Sequence, residues 1–178
     1  MATNIPPHNL NEVVDASLHL LKHPEADIDA LMEIIPAPDF PTGGIIYGIN
    51  GVKEGYRTGR GKVVMRAKCH FEEIDRGQRQ AIIVDEIPYQ VNKKTLQERM
   101  AELVHEKTLA GISDIRDESD TDCMRLVIEL KRNEVPEVVP TNLYKNTQLP
   151  DTFGMNLVAL ADGPPPLTNT LQLVHYLL

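Results

Sequence analysis

The sequence predicts an α+β fold: a mainly antiparallel sheet with helices packed on one face and partial flanking helices at either end. Three observations lead there. Residues 61–74 alternate from face to face and residues 79–87 are rich in Ile and Val, on either side of Asp75-Arg76-Gly77-Gln78, the pattern of a β-hairpin. Apolar residues recur at helical spacing behind the capping residues Asn9 and Asn92. The order of patterns, helices, hairpin, helix, strand, helix, strand, suggests a sheet covered by helices.

From the start, Met1 to Asn9 reads as an extended lead in which Pro6 and Pro7 fix φ. Asn9 caps a helix to about Lys22 whose apolar stripe is Leu10, Val13, Val14, Leu18 and Leu21. Asp27 caps a second, short helix that turns Ile28, Leu31, Met32 and Ile35 inward, and Pro36, Pro38 and Pro41 end it. Gly43 to Gly48 reads as a short buried strand, and Asn50-Gly51 opens a short helix closed by Gly59. The strand Gly61 to Ile74 follows, then the turn and the return strand Arg79 to Ile87. A helix runs from Lys93 to about Lys107 with Leu96, Met100, Leu103 and Val104 as its stripe. Lys93 and Lys94 occupy its first turn, where the helix dipole disfavours cations. Strands are expected at 112–115, 124–130 and 153–160, and helices at 135–144 and from Thr168 onward.

Composition narrows the function. The 178 residues are 42% hydrophobic and 25% charged, a globular balance for one well-packed domain with flanking elements. Aromatics are only 4%, with no Trp, which argues against stacking platforms for single-stranded nucleic acid and favours duplex or protein partners. Cys69 and Cys123 lack metal-ligand spacing, and a reduced cytosolic setting suits them. No apolar run reaches the roughly 18 residues of a membrane span, so no membrane partner and a cytoplasmic location are expected.

The stretch Gly55 to Cys69 carries the chemistry. Arg57, Arg60, Lys62, Arg66 and Lys68 concentrate positive charge in a chain whose formal charge is -8. Such a ribbon is either a local polyanion site, because binding follows the local field, or an ordinary solvated strand face. Tyr56 beside Arg57 could be imagined as a nucleophile with a cation to stabilise a phosphate; packing of Tyr56 against its helix is the plainer reading. The loop Arg116 to Asp120 is acidic without the ligand spacing of a calcium loop. There is no P-loop, G-x-G-x-x-G, G-x-S-x-G or H-E-x-x-H motif, and no Cys or His pair with zinc spacing. On motifs alone the chain is a binding or structural module.

Six segments, Met1-Ala-Thr-Asn-Ile-Pro-Pro-His-Asn-Leu, Pro38-Asp-Phe-Pro-Thr, Tyr56-Arg-Thr-Gly-Arg-Gly-Lys, Glu86-Ile-Pro-Tyr-Gln-Val-Asn-Lys, Gly111-Ile-Ser-Asp-Ile-Arg-Asp-Glu-Ser-Asp and Leu143-Tyr through Phe153-Gly-Met-Asn-Leu-Val-Ala-Leu, add a family resemblance. In order and spacing the chain resembles the A subunits of bacterial type IIA topoisomerases, the gyrase branch more than the topoisomerase IV branch.

That resemblance implies a connection from a winged-helix domain at 1–30, a tower domain at 31–160, and the start of the arm toward the C-gate at 161–178. It implies ATP-dependent passage of one duplex through another, and its partners would be double-stranded DNA, a second A subunit, plus the gyrase B subunit. No cofactor is expected in this chain; ATP and Mg²⁺ belong to the B subunit in the family. The nucleophilic tyrosine belongs to the winged helix, before the position of Met1, so no catalytic residue is expected here and the fragment alone should be inactive. The role implied is support: Arg57, Arg60, Lys62, Arg66, Lys93 and Lys94 would hold the outer arms of a bent duplex through phosphates. The competing reading is a brace between the winged helix and the C-gate arm that binds protein instead of DNA.

Overall fold

In the computed structural model, residues 4–75, 77–120, 123–132, 134, 138–159 and 169–177 are described. The fold is α+β, with two antiparallel sheets and six helices among the described residues. The chain divides into two compact units, each discontinuous in sequence. Unit 1 is Met1–Pro41, Ile46–Val64 and Thr152–Leu178; unit 2 is Thr42–Ile45 and Met65–Asp151.

Unit 1 opens with helix α1 (Leu10–Lys22), whose N-cap Asn9 accepts from the backbone N–H groups of Asn11 and Glu12. Helix α2 (Ile28–Ile34) starts the same way, Asp27 accepting from Ala30 N–H. The buried face of α1 is Ala16 and Leu20, and the expected stripe points outward: Leu10, Val14, Leu18 and Leu21 are all exposed. Apolar residues lie on both sides of this helix, so periodicity alone does not choose between them. Leu31 and Ile35 are buried as expected. The extended lead is tied down: Asn4 bridges to Asn156 in both directions, and Pro7 O accepts from Asp39 N–H.

Strand β1 (Ile45–Ile46) is shorter than expected, and Ile45 and Tyr47 are exposed. Helix α3 (Asn50–Thr58) ends at Gly59, which takes φ 79° and donates to Gly55 O, a left-handed cap that glycine adopts without strain. Strand β2 (Arg60–Arg66) lies between β1 and β7 (Pro150–Asn156) in a three-stranded sheet. Val63, Phe153 and Met155 point into the unit 1 core, where Phe153 meets Phe40 edge-on at 5.5 Å. Helix α6 (Thr170–Leu177) packs on α1, α2 and α3.

The expected single strand 61–74 is two strands. Strand β2 ends at Arg66, and β3 (Lys68–Ile74), with a register shift between its first two residues, joins a different sheet, ordered β3-β4-β6-β5. Strand β4 (Arg79–Glu86) pairs antiparallel with β3, closing the expected hairpin. Strands β5 (Ile112–Asp117) and β6 (Leu126–Leu130) complete the sheet. Strand β6 lies between two neighbours and is buried on both faces.

Helices α4 (Lys93–His105) and α5 (Val138–Asn146) supply the rest of the unit 2 core. Leu96, Met100 and Leu103 meet Ile82, Val84, Leu126 and Ile128 from the sheet, with Val139 and Leu143 from α5. Asn92 caps α4 through Thr95 N–H. The expected helix at 135–144 begins among residues outside the described set, as do parts of the expected strand 153–160 and helix 168–178.

Candidate nucleic-acid interface

The six candidate cations fall in both units, three in each, and most are already committed. In unit 1, Arg57 Nη2 lies 2.7 and 2.8 Å from the two carboxylate oxygens of Asp29. In unit 2, Arg66 stacks its guanidinium over the Tyr144 ring at 5.6 Å, a cation–π contact. Lys93 Nζ is 2.7 Å from Asp117 Oδ2, and Lys94 reaches Glu98 one turn on at 3.9 Å. The two lysines thus offset their unfavourable place at the α4 N-terminus by pairing. Asp117 in turn is held down to about 2 by Lys93 and then Ser119.

Arg60 and Lys62 differ from the other four. Both are exposed on β2, and neither forms an ion pair among the described residues. They line a groove of about 610 Å³ with Glu54, Gly61, Gly154, Met155 and Asn156. Leu157 N–H donates to Gly59 O, so counting along the antiparallel pair sets Asn156 across from Arg60 and Gly154 across from Lys62. Two cations and one carboxylate around a lining that includes two glycines make a shallow, net positive site.

Glycine makes this groove possible. A Cβ on Gly51 would run into the Lys62 carbonyl, one on Gly61 into the backbone of Gly51 and Gly55, and one on Gly55 into the Met155 thioether. Helix α3 therefore lies directly on the start of β2, and the cations project from a strand whose backbone is clamped. Tyr56 faces the other way: it is 1% exposed and its hydroxyl donates to His8 Nε2 at 2.7 Å, while His8 Nδ1 donates to Pro6 O. Burial pushes the Tyr56 phenol far up, and the same burial lowers His8. A phenol so held is a packing group and a poor nucleophile.

Unit 2 holds a different arrangement on the sheet face away from α4. Its small aliphatic centre is Ala81, Ile83 and Val127. Across it runs a chain of alternating charge, from Arg79 to Glu129, Arg116, Glu118, Arg125, Glu72, His70 and Asp85. Arg125 grips Glu72 with both terminal nitrogens, at 2.8 and 2.6 Å. Both His70 nitrogens face carboxylates, Nδ1 to Asp85 at 2.7 Å and Nε2 to Glu72 at 2.9 Å, so both donate and the ring is an imidazolium.

The Glu72 and Asp85 hydrogen bonds raise His70 above its ordinary 6.5, and Arg125, then His70, holds Glu72 at about 2. His70 therefore contributes stability below pH 6.5 that is lost as pH rises through its folded value. Glu72 contributes above pH 4.5 and loses it as pH falls toward about 2. The chain is strongest between those limits, and His70→Gln is expected to flatten the alkaline decline in urea-unfolding stability. An unchanged profile would remove His70 from the account.

Comparison with known proteins decides the family. The family model for the A subunit of DNA gyrase/topoisomerase IV matches residues 1–178. This chain belongs to that family. It is 60% identical to the DNA gyrase A protein of Neisseria gonorrhoeae over 98% of its own length and 19% of the relative's. The likeness to the Pseudomonas aeruginosa gyrase A protein is 57% over the same shares, and to the Arabidopsis thaliana chloroplastic/mitochondrial one 55%, over 98% and 18%. The chain thus spans about a fifth of the length of these gyrase A relatives. Among the described residues no helix is long and apolar enough to cross a membrane. Of the groove residues, Arg60 and Lys62 were legible as cations, whereas Gly154 and Asn156 were not, because their place depends on how β7 pairs with β2, nor was Glu54, whose place depends on how α3 packs on β2.

Proposed function

We propose that this chain is the tower segment of a gyrase-type A subunit, in which the unit 1 groove holds the phosphate backbone of duplex DNA. The observation that carries this reading is the pair Arg60 and Lys62, without ion-pair partners among the described residues, in a groove whose lining includes two glycines, Gly61 and Gly154. Such a site contacts phosphates without reading bases, which suits an enzyme that grips the arms of a bent duplex while chemistry proceeds elsewhere. The whole enzyme would pass one duplex through another and supercoil DNA in the cytoplasm, with a B subunit supplying ATP hydrolysis and Mg²⁺ and a second A subunit completing the gate. The fragment alone supplies no nucleophile in this reading and forms no covalent DNA adduct.

The test is binding of a fluorescein-labelled DNA duplex across a salt series, for the native chain and for Arg60→Glu with Lys62→Glu. Two lost phosphate contacts should make the slope of log K against log salt shallower by about 2, and weaken binding at low salt about tenfold or more. Arg57→Glu, which removes a cation already engaged by Asp29, should change the slope little. The brace reading draws on unit 2, where the sheet's arginines are each paired with carboxylates and so offer little net field to phosphate. If neither protein binds duplex at low salt, the brace reading replaces the DNA one.

A further inference from the structure

Glycine in the interior of a strand is destabilising relative to alanine, so it marks either a backbone need or a close neighbour. The other described glycines of unit 1 meet such a need. Gly48 and Gly59 have φ of 86° and 79°, and Gly51, Gly55 and Gly61 sit where a Cβ would strike backbone or a core side chain. Gly154 has neither reason. It lies within β7, outside the left-handed region, and a Cβ there would meet nothing within 4 Å. The fold has room for a side chain that the sequence withholds.

The empty space is the groove beside Arg60 and Lys62. Its floor is also fixed in place. Asn4 Nδ2 donates to Gly154 O at 2.6 Å, and the Asn4 and Asn156 backbones exchange bonds of 2.9 and 3.0 Å. We propose that Gly154 is a positioning residue for duplex DNA: its bare backbone lets a sugar-phosphate strand settle close enough for Arg60 and Lys62 to make direct charge-assisted bonds. Those bonds need about 2.7–2.9 Å between nitrogen and oxygen, a distance that a branched side chain on the floor prevents. This inference rests on the DNA reading of the groove.

The experiment compares Gly154→Ala and Gly154→Val with Arg60→Glu/Lys62→Glu in the same duplex titration, with thermal unfolding of each protein. Expected are unchanged or slightly higher melting temperatures for both glycine variants, since valine favours strands and meets no neighbour. Duplex affinity should fall with side-chain size, about threefold for alanine and tenfold for valine. If Gly154→Val binds as the native chain does while the charge reversal weakens binding, the inference fails and the DNA reading stands. If the charge reversal has no effect, both fail. A marked fall in the melting temperature of Gly154→Ala would also overturn the inference, because the glycine would then serve the fold.

Discussion

Replacing Gly61 with alanine is expected to lower the unfolding free energy by about 3 kcal/mol or more. The added methyl would enter the space of the Gly51 carbonyl and of the Gly55 nitrogen and Cα, all backbone atoms of one helix. Backbone in a hydrogen-bonded helix cannot swing aside as a side chain can, so α3 must lift from β2 as a body. Val52 and Tyr56 are buried on that helix, at 0% and 1% exposure, and lose packing when it lifts. Gly51→Ala meets the Lys62 carbonyl and belongs in the same class. Gly55→Ala is the internal control: its methyl would meet the Met155 sulfur, the movable part of an adaptable side chain, and should cost only about 1 kcal/mol. Urea unfolding followed by circular dichroism measures all three. Equal losses for Gly55→Ala and Gly61→Ala would show that the helix does not rest on the strand as described.

The same glycines show what a sequence can disclose. Gly59 was legible as a helix stop because a left-handed cap is a local need. Gly51, Gly55 and Gly61 carry no local signal of crowding, since the atoms that would be struck come from an element packed above. Asn9 and Asn92 were read correctly as caps for the same reason that Gly59 was: their partners lie within three residues. The hairpin β3–β4 was legible from its turn and alternation. The break at Ala67 was not, because Arg66-Ala67-Lys68-Cys69 continues the alternation without Gly or Pro, and the change of sheet between Arg66 and Lys68 is set by which strands the two segments pair with.

Charge was legible as composition and illegible as pairing. The basic ribbon of 57–68 is evident in the sequence, yet its members have different partners: Asp29 for Arg57, Tyr144 for Arg66, Glu86 for Lys68. Each partner lies 18 to 78 residues away along the chain. Glu86 also accepts from Gly44 N–H, which, with Lys68, holds its carboxyl below the usual range. What separates Arg60 and Lys62 from the rest is therefore a property of the fold.

Removing Glu129 is the second large effect. Its side chain is 9% exposed, on the central strand β6, and two guanidinium groups, Arg79 and Arg116, converge on its two oxygens. Breaking a buried pair by deleting one partner costs more than the pair contributes, because the remaining charges stay desolvated. Arg79 is 27% exposed and Arg116 44%, so both can partly rehydrate, and the expected cost of Glu129→Ala is about 2–3 kcal/mol. Arg116→Ala should cost clearly less, since Arg79 still satisfies the carboxylate and the lost group was largely hydrated. Adding salt should leave the Glu129→Ala deficit nearly unchanged while it weakens the exposed Lys94–Glu98 pair. If Glu129→Ala and Arg116→Ala lose the same stability, and high salt erases both losses, the charge chain is a solvated decoration. If the asymmetry and salt resistance hold, the carboxylate on β6 fixes the register of β4, β5 and β6 from the face opposite α4.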